Sequence, residues 1–335
     1  MEPLRFDANL APETLQAIPQ LTQAAERLGF DALWTSETQH DPFLPLTLVA
    51  EHSQRVHFGT AVAIALARSP ATVAYTAWDL AAASGGRFIL GLGSQVRAHI
   101  ERRFGMDWPA TPLSKMREFV GALRAFWRSW QHEEPLNFKG EYFRLGLMTP
   151  FFNPGPIEHP EIPIFLAGVN QGSLRLAGEV ADGLHAHPLH SARYLREVVR
   201  PALAEGSKQA DRDPGQLQLS VTAFVVSDEA DAAEVKRQIA FYASTPNYRP
   251  VLALHGWGEM ADRLSQLVRR GQWDSMAAQI SDEMLDAFAV RGQGEELGSA
   301  LRQRYQGLAD RITLYRPLQL GAERNWQPIL KGLRA

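Results

Sequence analysis

Short apolar runs alternate with amphipathic, helix-spaced segments through most of this 335-residue chain, and that alternation narrows the possible folds more than any other feature. Two parallel strands need a crossover between them, and a helix is the usual one. The runs that read as strands cover 4–10, 30–35, 56–63, 88–92, 163–167, 182–186, 217–226 and 311–315. Eight such units are enough to close a sheet on itself. The expected fold is therefore α/β, a (β/α)8 (TIM) barrel formed as one domain over residues 1–335, with an insertion after strand 4 at about 131–162 and extra helices between strands 7 and 8.

Local signals mark the helices. Ile18, Leu21, Ala25 and Leu28 share one helical face, and Gly29 ends that helix. Ser69 is a good N-cap, Pro70 suits a first helical position, and Ser84, Gly85 and Gly86 close the segment they begin. Met116, Phe119, Val120, Leu123, Trp127 and Trp130 keep helical spacing, so they predict a helix with an aromatic inner face. LNFKGEYFRL predicts a small hairpin about Lys139 and Gly140. A helix end, a glycine, an aspartate and an apolar strand recur at 29–31, 178–182 and 307–310, a junction that successive βα units would share.

Composition removes several classes of function. With 34 Lys plus Arg against 37 Asp plus Glu, the net charge of −3 offers no basic excess to neutralise a nucleic-acid backbone. The absence of cysteine excludes disulfides, iron–sulfur clusters, thiolate metal sites and cysteine nucleophiles together. The first residues, MEPLRFDANLAPETL, lack the basic and apolar regions of a secretory signal, and no stretch approaches the roughly 20 apolar residues of a membrane span. A cytoplasmic protein without a membrane partner is expected.

In a barrel, chemistry belongs at the carboxyl ends of the strands. After strand 2, Glu37, His40 and Asp41 could meet a ligand over the mouth, and a histidine there could exchange a proton; the alternative is a loop histidine bonded to backbone. Gly91, Gly93 and Ser94 look like half of a dinucleotide fingerprint or like plain turn glycines. Asn170, Gln171, Gly172 and Ser173 open a helix directly after strand 5, either as an anion site or as an ordinary cap. The histidines of HAH at 185–187 face one side of a strand, as metal ligands or as a polar pocket wall.

Taken jointly, AAERLGFDALWTSETQHDPFLPL, FGTAVAIALARSPATVAYTAWDLAAASGGRFILGLGSQ and FLAGVNQGSLRLAGEVADGLHAHP resemble the luciferase-like monooxygenase superfamily over nearly the whole chain. The likeness is greatest to its coenzyme F420-dependent oxidoreductase branch, through ETQHDPFLPL at 37–46, LGLGSQ at 90–95, RFGM at 103–106 and LMTPFF at 147–152. The resemblance implies a flavin-type ring over the strand ends, with its phosphate tail held by the loops after strands 4 and 5. It implies a cis peptide at Ala61 and Val62 backing the ring, and His40 with Glu37 as catalytic residues. By the same resemblance Ser94, Gln95, Arg117, Gly168, Asn170, Gln171, Gly172 and Ser173 hold the cofactor, and no metal is needed. Arg117 reads equally as a salt-bridge partner of Glu118 or Glu101.

The activity implied is hydride transfer between coenzyme F420 and a small organic substrate, an alcohol, a carbonyl or an activated alkene. Two alternatives stay open: an FMN-dependent monooxygenase that uses dioxygen and a separate reductase, and a non-catalytic flavin-binding barrel. Trp108, Phe151 and Phe152 suggest an apolar lid, or else packing or a dimer surface in a homo-oligomer.

Overall fold

The computed structural model describes residues 3–11 and 14–335. Eight parallel strands form the barrel: β1 (Arg5–Leu10), β2 (Ala32–Thr35), β3 (His57–Thr60), β4 (Phe88–Gly93), β5 (Ile164–Gly168), β6 (Gly183–Ala186), β7 (Gln218–Val226) and β8 (Arg311–Pro317). Each pairs with the next, and β8 pairs back to β1 with Phe6 opposite Ile312. The (β/α)8 barrel expected from the alternation is present, with the insertion after β4 and the helices between β7 and β8.

Helices α1 (Ile18–Leu28), α2 (Leu44–His52) and α3 (Pro70–Ser84) follow the first three strands. Gly29 ends α1 in the left-handed conformation at φ 78°, which a glycine adopts without a Cβ clash. The Ser69 hydroxyl accepts the Ala71 amide at the start of α3. A short helix, α4 (Arg97–Arg102), precedes the long α5 (Pro112–His132), and α6 (Gln171–Val180) follows β5. The hairpin pairs Phe138–Lys139 with Arg144–Leu145. An unanticipated strand, Ala289–Arg291, runs beside the end of β7.

Alternation along each strand sorts side chains between two cores. On β1, Phe6, Ala8 and Leu10 pack outward against the helices, while Asp7 points into the barrel. Inside, Trp34 and Phe165 are buried with Ala32 and Ile89, and glycines leave the room they need. A Cβ on Gly59 would lie 2.9 Å from the Trp34 ring and 2.0 Å from the Ile89 carbonyl oxygen. Large and small residues thus alternate around the interior and fill it.

The recurring aspartate is a register device. Asp31 exchanges two hydrogen bonds with Phe6 of the neighbouring strand: its amide donates to the Phe6 carbonyl at 2.9 Å, and its carboxylate accepts the Phe6 amide at 2.7 Å. Asp182 does the same with Ile164, at 2.7 and 2.9 Å, and Asp310 with Leu219, at 2.8 and 2.6 Å. Each aspartate stands just before its own strand and satisfies an amide at the first or second residue of the preceding one, which would otherwise be buried unpaired. Asp31→Ala is expected to lower unfolding stability by about 1–3 kcal/mol in urea titration, and Asp31→Asn, which keeps a carbonyl acceptor, by less.

Candidate functional site

The carboxyl ends of β1, β2 and β8 enclose a cavity of about 520 Å³ at the barrel mouth. His40 lines it from the loop after β2, together with Asn9 of β1 and Tyr315 of β8. The imidazole of His40 is exposed and makes no hydrogen bond among the described residues, so its nitrogens are available to a ligand.

Strand 3 stops at Thr60, short of the expected residue 63, and resumes as Ala63–Ile64 against β4. The Ala61–Val62 peptide in the gap is cis. The end of β2 holds this segment from both sides: the Ala61 amide donates to the Thr35 carbonyl at 2.7 Å, and the Ser36 hydroxyl donates to the Ala61 carbonyl at 2.9 Å. Glu37 completes the brace. Its carboxylate, 6% exposed, accepts the Ile64 amide at 2.7 Å and pairs with Arg68 at 2.5 Å, both through Oε2. Arg68 also reaches Asp41 at 3.2 Å, whose other oxygen accepts the Phe43 amide and fixes the turn that presents His40.

The loops after β4 and β5 lie side by side, since Leu92 pairs with Leu166. Gln95 has φ 60° and its side-chain oxygen accepts the Val96 amide, turning the chain after Ser94. The Asn170 side chain accepts the Ser173 amide at 3.1 Å, and the Ser173 hydroxyl donates to the Asn170 carbonyl. Gly168 is required here because a Cβ would lie 2.9 Å from the Ser173 hydroxyl. With the cap spent on Ser173, the amides of Gln171 and Gly172 at the first turn of α6 remain to meet an anion. Arg117 lies on α5, outside these two loops, and pairs with a residue of α6. Its guanidinium is bidentate to Glu179 at 2.6 and 2.8 Å, near the far end of α6, whereas Glu118 binds the amides of the hairpin and Glu101 pairs with Arg97.

His185 on β6 packs inside the barrel against Trp34 and Phe165, whereas His187 lies one residue beyond the end of that strand, against Tyr242 and Tyr248. The His185 ring stands edge-on to Trp34 at 4.8 Å, and its Nε2 would be 3.0 Å from a Cβ on Gly91, with no hydrogen-bond partner of its own. His187 Nδ1 accepts the Leu189 amide at 3.1 Å, which leaves its proton on Nε2. His190 Nδ1 donates to the His187 carbonyl at 2.8 Å, so its Nε2 accepts the Tyr305 hydroxyl at 3.0 Å. Among the described residues no group of three or more such side chains converges as metal ligands. Burial pushes His185 and His187 down to about 3 and His190 to about 4, aided by Arg311 for the first and by His190 for the second.

A cluster of tyrosines completes the mouth, and sequence reading missed it. Tyr242 and Tyr248 pack on the His187 ring at 4.4 and 4.3 Å, and the hydroxyls of Tyr242 and Tyr315 share a 2.5 Å hydrogen bond. These residues lie 55 to 128 positions beyond His187, with no shared motif to connect them. Phe151 and Phe152, expected as a lid, are 88% and 57% exposed and do not line the cavity. Their segment is fastened to α3, where Tyr75 donates to the Phe152 carbonyl. Trp108 packs half-buried against the outer core.

Comparison with known proteins agrees with this architecture. The family model described as luciferase-like monooxygenase matches residues 3–311. An uncharacterized protein of Mycobacterium tuberculosis is 46% identical over 315 residues, covering 92% of each chain. A second protein of that organism, provisionally named a coenzyme F420-dependent oxidoreductase, is 31% identical over 82% of this chain and 83% of its own. Among solved structures, the coenzyme F420 dependent tetrahydromethanopterin reductase from Methanopyrus kandleri superposes with a TM-score of 0.81 at 20% identity, covering 99% of this chain and 98% of its own. That likeness is one of fold.

The three neutral histidines make stability pH-dependent. An unfolded chain protonates each near pH 6.5, while the folded chain does so only near 3 to 4. Between these values the unfolded state binds more protons, so stability falls as the pH falls, by up to about 2 kcal/mol per histidine at pH 5. Urea unfolding at pH 7 and pH 5 should show the loss, and His190→Gln should reduce the difference between the two.

Proposed function

The chain belongs to the luciferase-like monooxygenase family, and we propose that within it the protein is an oxidoreductase that moves a hydride between coenzyme F420 and a small organic substrate. The observation that carries the proposal is the uncharged Ala61–Val62 segment, held by Thr35 and Ser36, two residues that line the same cavity as His40. A flat, conjugated ring fits such a surface. The F420 preference also draws on the name of the 31% identical relative.

The residues at hand suit the group. His185 beneath the mouth is neutral, so no buried charge opposes a ring above it. Ser94 and Gln95 after β4 and the free amides at Gln171 and Gly172 after β5 would receive the phosphate tail, with Gly168 admitting Ser173 and Asn170 setting the turn. Arg117 supports α6 through Glu179 rather than gripping phosphate. A deazaflavin, when bound, supplies the carbon that accepts or returns the hydride. His40 takes the substrate's hydroxyl proton as a hydride departs and gives one back in the reverse direction. Glu37 positions it by bracing the loop on Arg68 and Ile64. Residues 1–335 then work as one barrel domain, with a reductase partner needed only if the ring is FMN.

Titration of the purified protein with F420 and with FMN tests the proposal. Saturable F420 binding, tighter than FMN, is expected; tighter FMN binding with oxygen-dependent turnover would reverse it. His40→Ala should reduce turnover by roughly 100-fold or more while cofactor affinity stays within about threefold. Unchanged turnover in that variant removes His40 from the chemistry.

A further inference from the structure

We infer that the substrate taken up beside His40 is an uncharged molecule with an apolar body and one hydroxyl or carbonyl oxygen, an inference that rests on the hydride-transfer reading above. The cavity that His40 lines has one apolar side, made by Leu10, Leu15, Leu44 and Pro45. Leu15 and Leu44, 42% and 57% exposed, both line this cavity and offer it apolar surface that an apolar ligand would cover.

Every formal charge on the described wall of this cavity is already spent. Asp41 is paired with Arg68 at 3.2 Å, and Arg316 with Asp231 at 2.6 Å, where Asp231 also accepts the Ser227 amide. A phosphate or carboxylate entering here would lose water and find, among the described wall residues, no arginine or lysine that is not already paired. A neutral oxygen is better served. One hydroxyl of the Tyr242–Tyr315 pair donates to the other, which leaves one proton to offer a third oxygen, and Tyr315 lines the same cavity as His40. The Asn9 amide nitrogen is held by the Leu314 carbonyl at 3.1 Å, so that its oxygen remains as an acceptor. In the oxidative direction the carbon–hydrogen bond breaks with its electron pair moving to the oxidised cofactor, the hydroxyl proton passes to His40, and the carbonyl double bond forms. Tyr315 and Tyr242 are positioning residues for that oxygen.

The test separates this inference from the cofactor reading. F420 binding is measured first, by fluorescence; if it fails, the reading in the preceding subsection fails. With F420 bound, 2-octanone and octyl phosphate are titrated calorimetrically. The ketone should bind roughly 100-fold more tightly than the phosphate. Tyr315→Phe should weaken the ketone roughly 10-fold with F420 affinity unchanged. Asp231→Asn, which releases Arg316, should tighten octyl phosphate roughly 10-fold and leave the ketone unaffected. Octyl phosphate binding as tightly as the ketone to the unaltered protein, or neither probe binding to the F420-loaded protein at about 10 mM, overturns the inference.

Discussion

Arg311 and Asp7 close the barrel from within. They stand on its last and first strands, 304 positions apart, buried at 1% and 0% exposure, and joined by two parallel hydrogen bonds of 2.8 Å. Burial pushes the Asp7 carboxyl up while the guanidinium pulls it down. A pair of this kind adds little net stability over an apolar packing, yet removing one member leaves a charge stranded and costs about 3–5 kcal/mol. Its influence reaches further than the seam. Asp7 also accepts the Trp34 indole at 2.9 Å, Arg311 lies 5.6 Å from the centre of that ring, and Trp34 in turn supports Phe165 and His185. The floor of the mouth is the top of a column that begins at the closure.

The two ends of the barrel are fixed by different means. At the amino ends, Asp31, Asp182 and Asp310 set register with backbone hydrogen bonds that depend on no ligand. At the carboxyl ends, Thr35 of β2 with Ser36 and Glu37 of the following loop hold the cis segment, and the same loop presents His40. Asp41 is paired with Arg68 and Arg316 with Asp231, so the described wall of the mouth carries no uncompensated carboxylate or guanidinium.

Much of this was legible in the sequence because it is local. Strand and helix periods, the Ser69–Pro70 start and the Gly29 end each depend on a few neighbouring residues, and the structure has them at those places. The aspartate repeat was visible as a pattern, but its meaning, a hook on the adjacent strand, needs the pairing to be known. Partners distant in sequence were not readable: Arg117 has two glutamates close by and uses Glu179 instead, 62 positions away, because α5 and α6 pack together. For the same reason Asp7 with Arg311 and Tyr242 with Tyr315 left no trace. The break after Thr60 was legible only by resemblance, since VHFGTAVAIAL has the composition of an unbroken strand.

The helical excursion that supplies Tyr242 and Tyr248 leaves and rejoins the barrel at one place. Phe224, Val225 and Val226 at its departure pair with Ala289, Val290 and Arg291 at its return, so the two ends are pinned within a strand's width of each other. A segment tethered in that way behaves as a cassette. Such a segment can be lengthened, shortened or exchanged, and so redraw one flank of the barrel mouth, while strand order and closure stay as they are.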